Sequence, residues 1–107
     1  MKKTLIFLPA ALLLATGFAQ AADEAAALAL AKKNGCLACH DLNKKLVGPA
    51  WKEVGKKYAG VAGAEEKLLL SVKKGSKDVW GPIPMPPNAT VKDADMKTLV
   101  QFVLTLK

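Results

Sequence analysis

Cys36, Cys39 and His40 form a Cys-x-x-Cys-His sequence, whose residue types can bind a metal or a prosthetic group. Two cysteines at this spacing on a helical turn present both sulfurs to one edge of a flat ring, where they can form thioether bonds to two vinyl groups. His40, the next residue, can then reach an iron at the centre of the ring. The spacing therefore predicts that Cys36 and Cys39 attach one haem c covalently and that His40 is an axial iron ligand.

Three other interpretations of this motif each lack something. A thioredoxin-like redox pair is expected near a strand-helix-strand pattern, which the sequence does not show. A zinc site usually has four ligands, whereas the two cysteines and the histidine are the only residues of those types in the chain. A disulfide across so small a loop stabilises little and leaves His40 unexplained. Haem attachment is the interpretation that uses all three residues.

The second axial position of the iron needs a ligand or stays open. With His40 the only histidine, bis-histidine ligation within the chain is excluded. Met1 belongs to a leader and Met96 to the last predicted helix, whereas Met85 lies between two prolines in a stiff loop. Met85 is therefore the predicted axial thioether, since His/Met ligation is common in electron-carrying haem proteins.

The N-terminus has the pattern of a secretory signal peptide. A short positive start is followed by an apolar run from Leu5 to Phe18 and by small residues. The run is shorter than the roughly 20 residues that span a bilayer. We expect cleavage after Ala21, although Ala22 also suits the peptidase. Residues 1–21 are thus the predicted signal peptide and residues 22–107 the domain, in the periplasm and without a membrane anchor.

The remaining domain is small and basic. Cleavage removes Lys2 and Lys3 from a chain of net charge +7, which leaves +5 before any cofactor. A chain of this size buries only about 60% of its extended surface, so a buried cofactor would supplement the core. All the basic residues are lysines. Nucleic-acid binding is not expected of an exported protein without arginine.

Four segments are predicted to be helical and one is not. The helices are expected over Asp23–Lys33, Pro49–Tyr58, Ala64–Lys74 and Asp93–Leu106, from their composition, their glycine ends and, in the last, one apolar face. The proline-rich segment 81–87 cannot be helical and should form an extended, stiff loop that holds one side chain in place. The predicted fold class is all-α.

Together these segments make the sequence similar to the small monohaem class I cytochromes c of the pseudomonad cytochrome c-551 type, over nearly all of the domain. The fold that the resemblance implies is about four short helices wrapped around one covalently bound haem. The matching segments are Gly35-Cys36-Leu37-Ala38-Cys39-His40, Val47-Gly48-Pro49-Ala50, Gly63-Ala64-Glu65 and Val79-Trp80-Gly81-Pro82-Ile83-Pro84-Met85-Pro86-Pro87-Asn88.

The resemblance also implies roles near the haem for three further residues. The Pro49 carbonyl would accept a hydrogen bond from the free ring nitrogen of His40, Trp80 would donate its indole N–H to a haem propionate, and Asn88 would hydrogen-bond near the Met85 sulfur. Each also has a structural interpretation. Pro49 can start a helix, Trp80 can be a core residue and Asn88 can be a turn residue.

The chain departs from its relatives at a few positions. Ser71 stands where many relatives carry an arginine near the propionates. Lys73 could replace this missing cation. Ala31 stands where they carry a large aromatic residue, which predicts looser packing against the last helix. Thr90 is one extra residue before that helix. These departures bear on potential and stability rather than on iron ligation.

The function expected from these features is one-electron transfer without catalysis, by an iron that cycles between Fe(II) and Fe(III). The predicted partners are acidic-patched redox proteins of respiration or denitrification: a reductase, oxidase or peroxidase, and a donor cytochrome complex or cupredoxin. They would meet a monomer at a basic rim. There are two alternatives: an enzyme or gas sensor whose haem has an open sixth site, and an electron-entry module of a larger complex. The rim would comprise Lys44, Lys45, Lys73, Lys74 and Lys77.

Overall fold

The computed structural model describes the backbone of residues 16–107 and the side chains of residues 23–107. The elements, in chain order, are α1 (Thr16–Lys33), a short 3-10 turn (Cys36–Ala38), α2 (Trp51–Tyr58), α3 (Ala64–Lys74) and α4 (Asp93–Leu104). Over this part of the chain there is no strand, only two isolated bridges between loop residues. None of the helices described in residues 16–107 combines the length and the apolarity that a membrane crossing requires.

Helix α1 begins at Thr16, earlier than the predicted start at Asp23. The stretch contains Gly17 near the start of the helix, but no proline, and the alanines and glutamine that follow are good helix formers. The helix thus extends back across the predicted cleavage site. Residues 1–15 of the predicted signal peptide lie outside the described residues, and cleavage stays a prediction.

Helix α4 is the central element, because α1, α2 and α3 all pack against it. Its buried residues are Met96, Leu99, Val100 and Val103, so the apolar spacing in the sequence does mark a buried face. Trp51 and Val54 of α2 and Leu68 of α3 join the last three of these in the core. Several of the same side chains also face a large cavity, described below.

Small residues lie where α1 and α2 meet the core. Ala31 on α1 is completely buried in the core, at the position where an aromatic residue was expected in relatives. On α2, a Cβ atom at Gly55 would lie 2.7 Å from the Val103 carbonyl oxygen and would also collide with that of Leu106. The absence of a side chain at Gly55 therefore sets how closely α2 lies to the end of α4.

Helix α3 has the predicted bounds, and α2 and α4 are shorter than predicted. Pro49 precedes α2 because Ala50 is extended, with ψ 139°. At the other end of the chain, α4 stops at Leu104 rather than Leu106. There the Thr105 hydroxyl donates a 2.6 Å hydrogen bond to the Phe102 carbonyl, and such local bonds compete with continued helix.

Candidate functional site

The four residues predicted to hold the haem all line one cavity of about 470 Å³. This volume lies within the range of about 300–1,000 Å³ that is typical of ligand and cofactor sites. Cys36, Cys39 and His40 contribute from the segment after α1, and Met85 from the loop between α3 and α4. The floor of the cavity is apolar and includes Leu68, Val72, Leu99, Val100 and Val103.

The cysteines lie on a tight turn that follows directly from the end of α1. Gly35 takes the left-handed conformation, with φ 75°, and ends the run of helical backbone. The amides of Cys39 and His40 then both donate to the Cys36 carbonyl, at 3.2 and 3.0 Å. Both thiols are free, and burial, with a contribution from nearby Cys39, raises the pKa of the Cys36 thiol.

The segment after the histidine is tied to the start of α2. Asp41 accepts hydrogen bonds at Oδ2 from the amides of Asn43 and Lys44, at 2.9 and 3.0 Å, and these bonds lower the pKa of its carboxyl. The amide of Trp51 donates to the Asp41 carbonyl at 2.9 Å. Because the first amides of α2 need partners outside the helix, this contact joins α2 to the Cys-x-x-Cys-His turn.

The His40 ring is oriented by Pro49 and Gly48. Its Nδ1 lies 2.8 Å from the Pro49 carbonyl oxygen, which can only accept, so Nδ1 carries the proton and Nε2 keeps a free lone pair for a metal. A Cβ atom at Gly48 would lie 2.7 Å from the ring carbon Cε1. The structure therefore contains the contact that the resemblance implied for Pro49 and adds Gly48, whose role the sequence analysis missed.

Met85 is fixed through its backbone. Its amide donates to the Ser76 carbonyl at 2.9 Å and its carbonyl accepts from the Ser76 amide at 3.0 Å. Gly75, at the end of α3, has φ 79°, and a Cβ atom there would lie 2.5 Å from the Met85 carbonyl oxygen. The Asn88 amide adds a 2.8 Å bond to the Val72 carbonyl. The loop is thus attached to the end of α3 at Met85 and again at Asn88.

Trp80 and Asn88 also line the cavity, and the structure shows further contacts of both. Trp80 is 36% exposed, so it is a wall residue rather than a core residue, and the Lys57 ammonium lies 4.8 Å from its ring centroid. The Asn88 side-chain nitrogen donates to the Pro86 carbonyl at 3.1 Å. Among the hydrogen bonds of the described residues, none joins Asn88 to the Met85 sulfur, because its side chain turns back onto its own loop.

The departures from the family pattern also have a structural outcome. Ser71 lines the cavity, and its hydroxyl donates to the Lys67 carbonyl one helical turn earlier, at 3.1 Å. Lys73 lies outside the described lining, and its ammonium lies 3.9 Å from Asp93; its replacement of the missing arginine stays a prediction. Sequence reasoning overlooked Lys57, whose partner Trp80 is too distant along the chain for any local pattern to reveal.

The family comparison decides between the interpretations of this cavity. The sequence model of the cytochrome c family matches residues 24–107. This chain belongs to the cytochrome c family. The assignment agrees with the presence of Cys36, Cys39, His40 and Met85 in the lining of one cavity.

Relatives of this cytochrome are similar over most of their length. It is 53% identical over 97 residues to cytochrome c-551 of Pseudomonas aeruginosa, and the aligned region covers 89% of this chain and 92% of the relative. It is 50% identical over 98 residues to cytochrome c-552 of Nitrosomonas europaea, which covers 92% and 90%. The crystal structure of wild-type Nitrosomonas europaea cytochrome c552 superposes with a TM-score of 0.73 at 52% identity, over 75% of this chain and 99% of that one.

These similarities confirm the predicted family, the all-α class I fold and the cofactor. The cytochrome carries one covalently bound haem c with its iron and is a monohaem c-type electron carrier. The chain's own residues fit that group. The cavity is large and apolar, two free thiols lie in its lining, and the absence of a side chain at Gly48 leaves room for the histidine ring.

Proposed function

We propose that this cytochrome is a periplasmic one-electron carrier whose iron is held between His40 and Met85. The observation that carries the proposal is that both side chains line the same cavity, each on a backbone fixed by hydrogen bonds. His40 presents Nε2 because Nδ1 is engaged by Pro49. Cys36 and Cys39 are proposed to form the two thioethers. The haem supplies the iron that changes between Fe(II) and Fe(III).

The rigidity of the two ligands suits electron transfer. An electron carrier works best when its centre changes charge with little movement of the surrounding atoms. The hydrogen bond from His40 to Pro49 and the pairing of Met85 with Ser76 both restrict such movement. A thioether ligand and an apolar pocket favour the less charged ferrous form, so we expect a positive reduction potential.

The ligand assignment is tested with Met85→Leu and a matched control, Met96→Leu. Met96 is a buried methionine of α4 that does not line the cavity. Leucine keeps the volume of methionine nearly constant, at a cost of less than about 1.5 kcal/mol in stability, but has no sulfur. We expect the weak ferric absorption band of a thioether-bound iron to disappear in Met85→Leu and to persist in Met96→Leu.

Two spectra would contradict the assignment. An unchanged ferric band in Met85→Leu would show that Met85 is not the ligand. A high-spin spectrum in the parent protein would show that the sixth position is open, and would favour the alternative function of an enzyme or gas sensor. Helical circular dichroism equal to that of the parent in both variants would show that the loss of the band is due to the ligand and not to unfolding.

The proposed meeting point with redox partners is the mouth of the cavity. Apolar side chains there are exposed, among them Val47 at 52% and Ile83 at 60%, and both also line the cavity. Lys45 lies in the same lining, and lysines are frequent on the surrounding surface. An acidic redox protein would be attracted by this charge before apolar contact forms. Within the expected basic rim, the charge of Lys73 is partly neutralised by Asp93.

The leader pattern and the resemblance to exported cytochromes support a periplasmic location, where respiratory or denitrification enzymes would exchange electrons with the protein. Attraction between opposite charges predicts that the rate of electron exchange depends on ionic strength. The second-order rate of electron exchange with an acidic partner should fall as ionic strength rises through about 0.1 M, where the screening length is about 10 Å. A rate that is constant across this range would contradict a role for the lysines in docking.

A further inference from the structure

The charged side chains in the cavity lining do not balance the charge of a haem. Besides His40, the described lining contains one cation, Lys45, and two carboxylates, Glu53 and Asp78. Haem c brings two propionate carboxylates, and carboxylates that leave bulk water need a compensating charge or hydrogen-bond donors. The lining as described is short of positive charge, and Ser71, whose hydroxyl bonds to its own helix, cannot supply it.

Lys57 is the cation placed to make up this deficit. It projects from the last turn of α2, and its ammonium lies 4.8 Å from the centroid of the Trp80 ring, within the distance of a cation–π contact. Trp80 lines the cavity and Lys57 does not, so the ammonium lies against a residue of the cavity wall.

The neighbouring lysines are engaged differently. Lys56, the preceding residue, points to Glu53, with 3.4 Å between Nζ and Oε1. Lys73 lies 3.9 Å from Asp93. Among the ion pairs of residues 23–107, none includes Lys57. In this part of the chain its ammonium therefore has no carboxylate partner within 4.0 Å, and its contact with the Trp80 ring is the one that the structure shows.

We propose that Lys57 is a positioning residue that raises the reduction potential of the haem. It does so in two ways: its charge favours the less positive ferrous form, and its contact with the ring holds Trp80 in the wall of the cavity. Lys57 is exposed, so its field reaches the cavity partly through solvent and partly across the wall that Trp80 forms, where screening is weaker than in open water. This inference rests on the proposed function, in which the haem iron lies in this cavity between His40 and Met85.

The test compares the midpoint potentials of the holoprotein and of Lys57→Gln, Lys56→Gln and Lys57→Arg. The two glutamine variants remove the same charge from adjacent positions of one helix, and the arginine variant keeps both the charge and the ability to stack on an aromatic ring. We expect a lower potential for Lys57→Gln than for Lys56→Gln, and a potential close to that of the parent for Lys57→Arg. Raising the salt concentration should shift Lys57→Gln less than it shifts the parent.

Two results would overturn the inference. Equal potentials for Lys57→Gln and Lys56→Gln would show that the position over Trp80 has no special effect. A potential as low for Lys57→Arg as for Lys57→Gln would show that the charge is not the cause. The ferric thioether band is recorded for all four proteins: its absence from the parent would overturn the proposed ligation, whereas its presence with equal potentials overturns the role of Lys57 alone.

Discussion

At the scale of single residues, the absence of a side chain at Gly48 leaves the space in which the His40 ring lies. Gly48 is not in the left-handed conformation, so its backbone conformation does not require a glycine. A glycine is required because the His40 ring occupies the space that a side chain would take. A methyl group at this position would lie 2.7 Å from Cε1 and 3.1 Å from Nδ1, the atom that bonds to Pro49. Any substitution at Gly48 therefore acts on the ligand that the iron needs.

We predict that Gly48→Ala displaces the His40 ring and lowers stability by about 1–3 kcal/mol, as for other overpacked sites. The ferric and ferrous absorption spectra should change, together with a lower midpoint of thermal unfolding. Gly60→Ala is the matched control, because Gly60 has φ 72° and nothing near its Cβ position. It should cost about 1–2 kcal/mol through backbone strain alone and leave the spectra unchanged. A normal spectrum for Gly48→Ala would contradict the prediction.

Residues that act through the local chain could be predicted, and those that act through space could not. The Cys36–Cys39–His40 spacing and the proline neighbours of Met85 identify candidate haem-binding residues without a structure. The family resemblance led to the Pro49 contact. The contact of Lys57 with Trp80 and the room that Gly48 leaves depend on how distant segments fold together. The Asn88 side-chain nitrogen bonds to Pro86 within its own loop, as a turn residue would, and its bond near the Met85 sulfur stays a prediction.

At the scale of elements, the end of α3 controls the methionine loop. Gly75 combines a left-handed φ of 79° with close approach to the Met85 carbonyl oxygen and the Pro87 ring. Any Cβ atom there would push on the loop at the point where Ser76 pairs with Met85. The glycine that ends the helix is therefore also the residue that allows the loop to return.

Gly75→Ala should loosen the proposed Met85–iron bond without removing the sulfur. We expect a weaker ferric thioether band and faster binding of an added ligand such as imidazole, both followed by absorption spectroscopy. Gly63→Ala is the control at the other end of the same helix, since Gly63 has φ 72° and open space around it. It should lower stability and leave imidazole binding unchanged. Equal imidazole kinetics in the two variants would rule out a role of Gly75 in holding the loop.

The bounds of the helices were predictable where glycine and charge mark them. Helix α3 lies between Gly63 and Gly75, with Glu65 and Glu66 in its first turn and lysines in its last, and these signals predicted it correctly. The ends of α1, α2 and α4 were less certain. They depend on helix-forming residues upstream of Asp23, on the extended Ala50 and on the Thr105 hydroxyl. The spacing of apolar residues shows none of these features.

At the scale of the whole molecule, the core and the cofactor site are continuous. Leu68, Leu99, Val100 and Val103 belong to the core cluster and also line the cavity. A haem in the cavity would bury these apolar surfaces on the side where the protein has no side chains of its own. For a domain this small, that burial is a large part of the available stabilisation.

Removing both attachment points should therefore prevent the folded protein from accumulating. We predict that Cys36→Ala combined with Cys39→Ala gives little or no helical protein in cell extracts, measured by immunoblot and by circular dichroism of purified material. Met85→Leu, which keeps both cysteines, should accumulate with haem attached. Normal yield of a helical, haem-free double variant would show that the helices need no cofactor to pack.

The pairing of Ser76 with Met85 uses only main-chain atoms. The path of the chain at position 85 is consequently independent of the side chain it carries. Histidine or another coordinating residue could be introduced there without rebuilding the loop, so the protein offers a ready starting point for the design of haem proteins with altered axial chemistry.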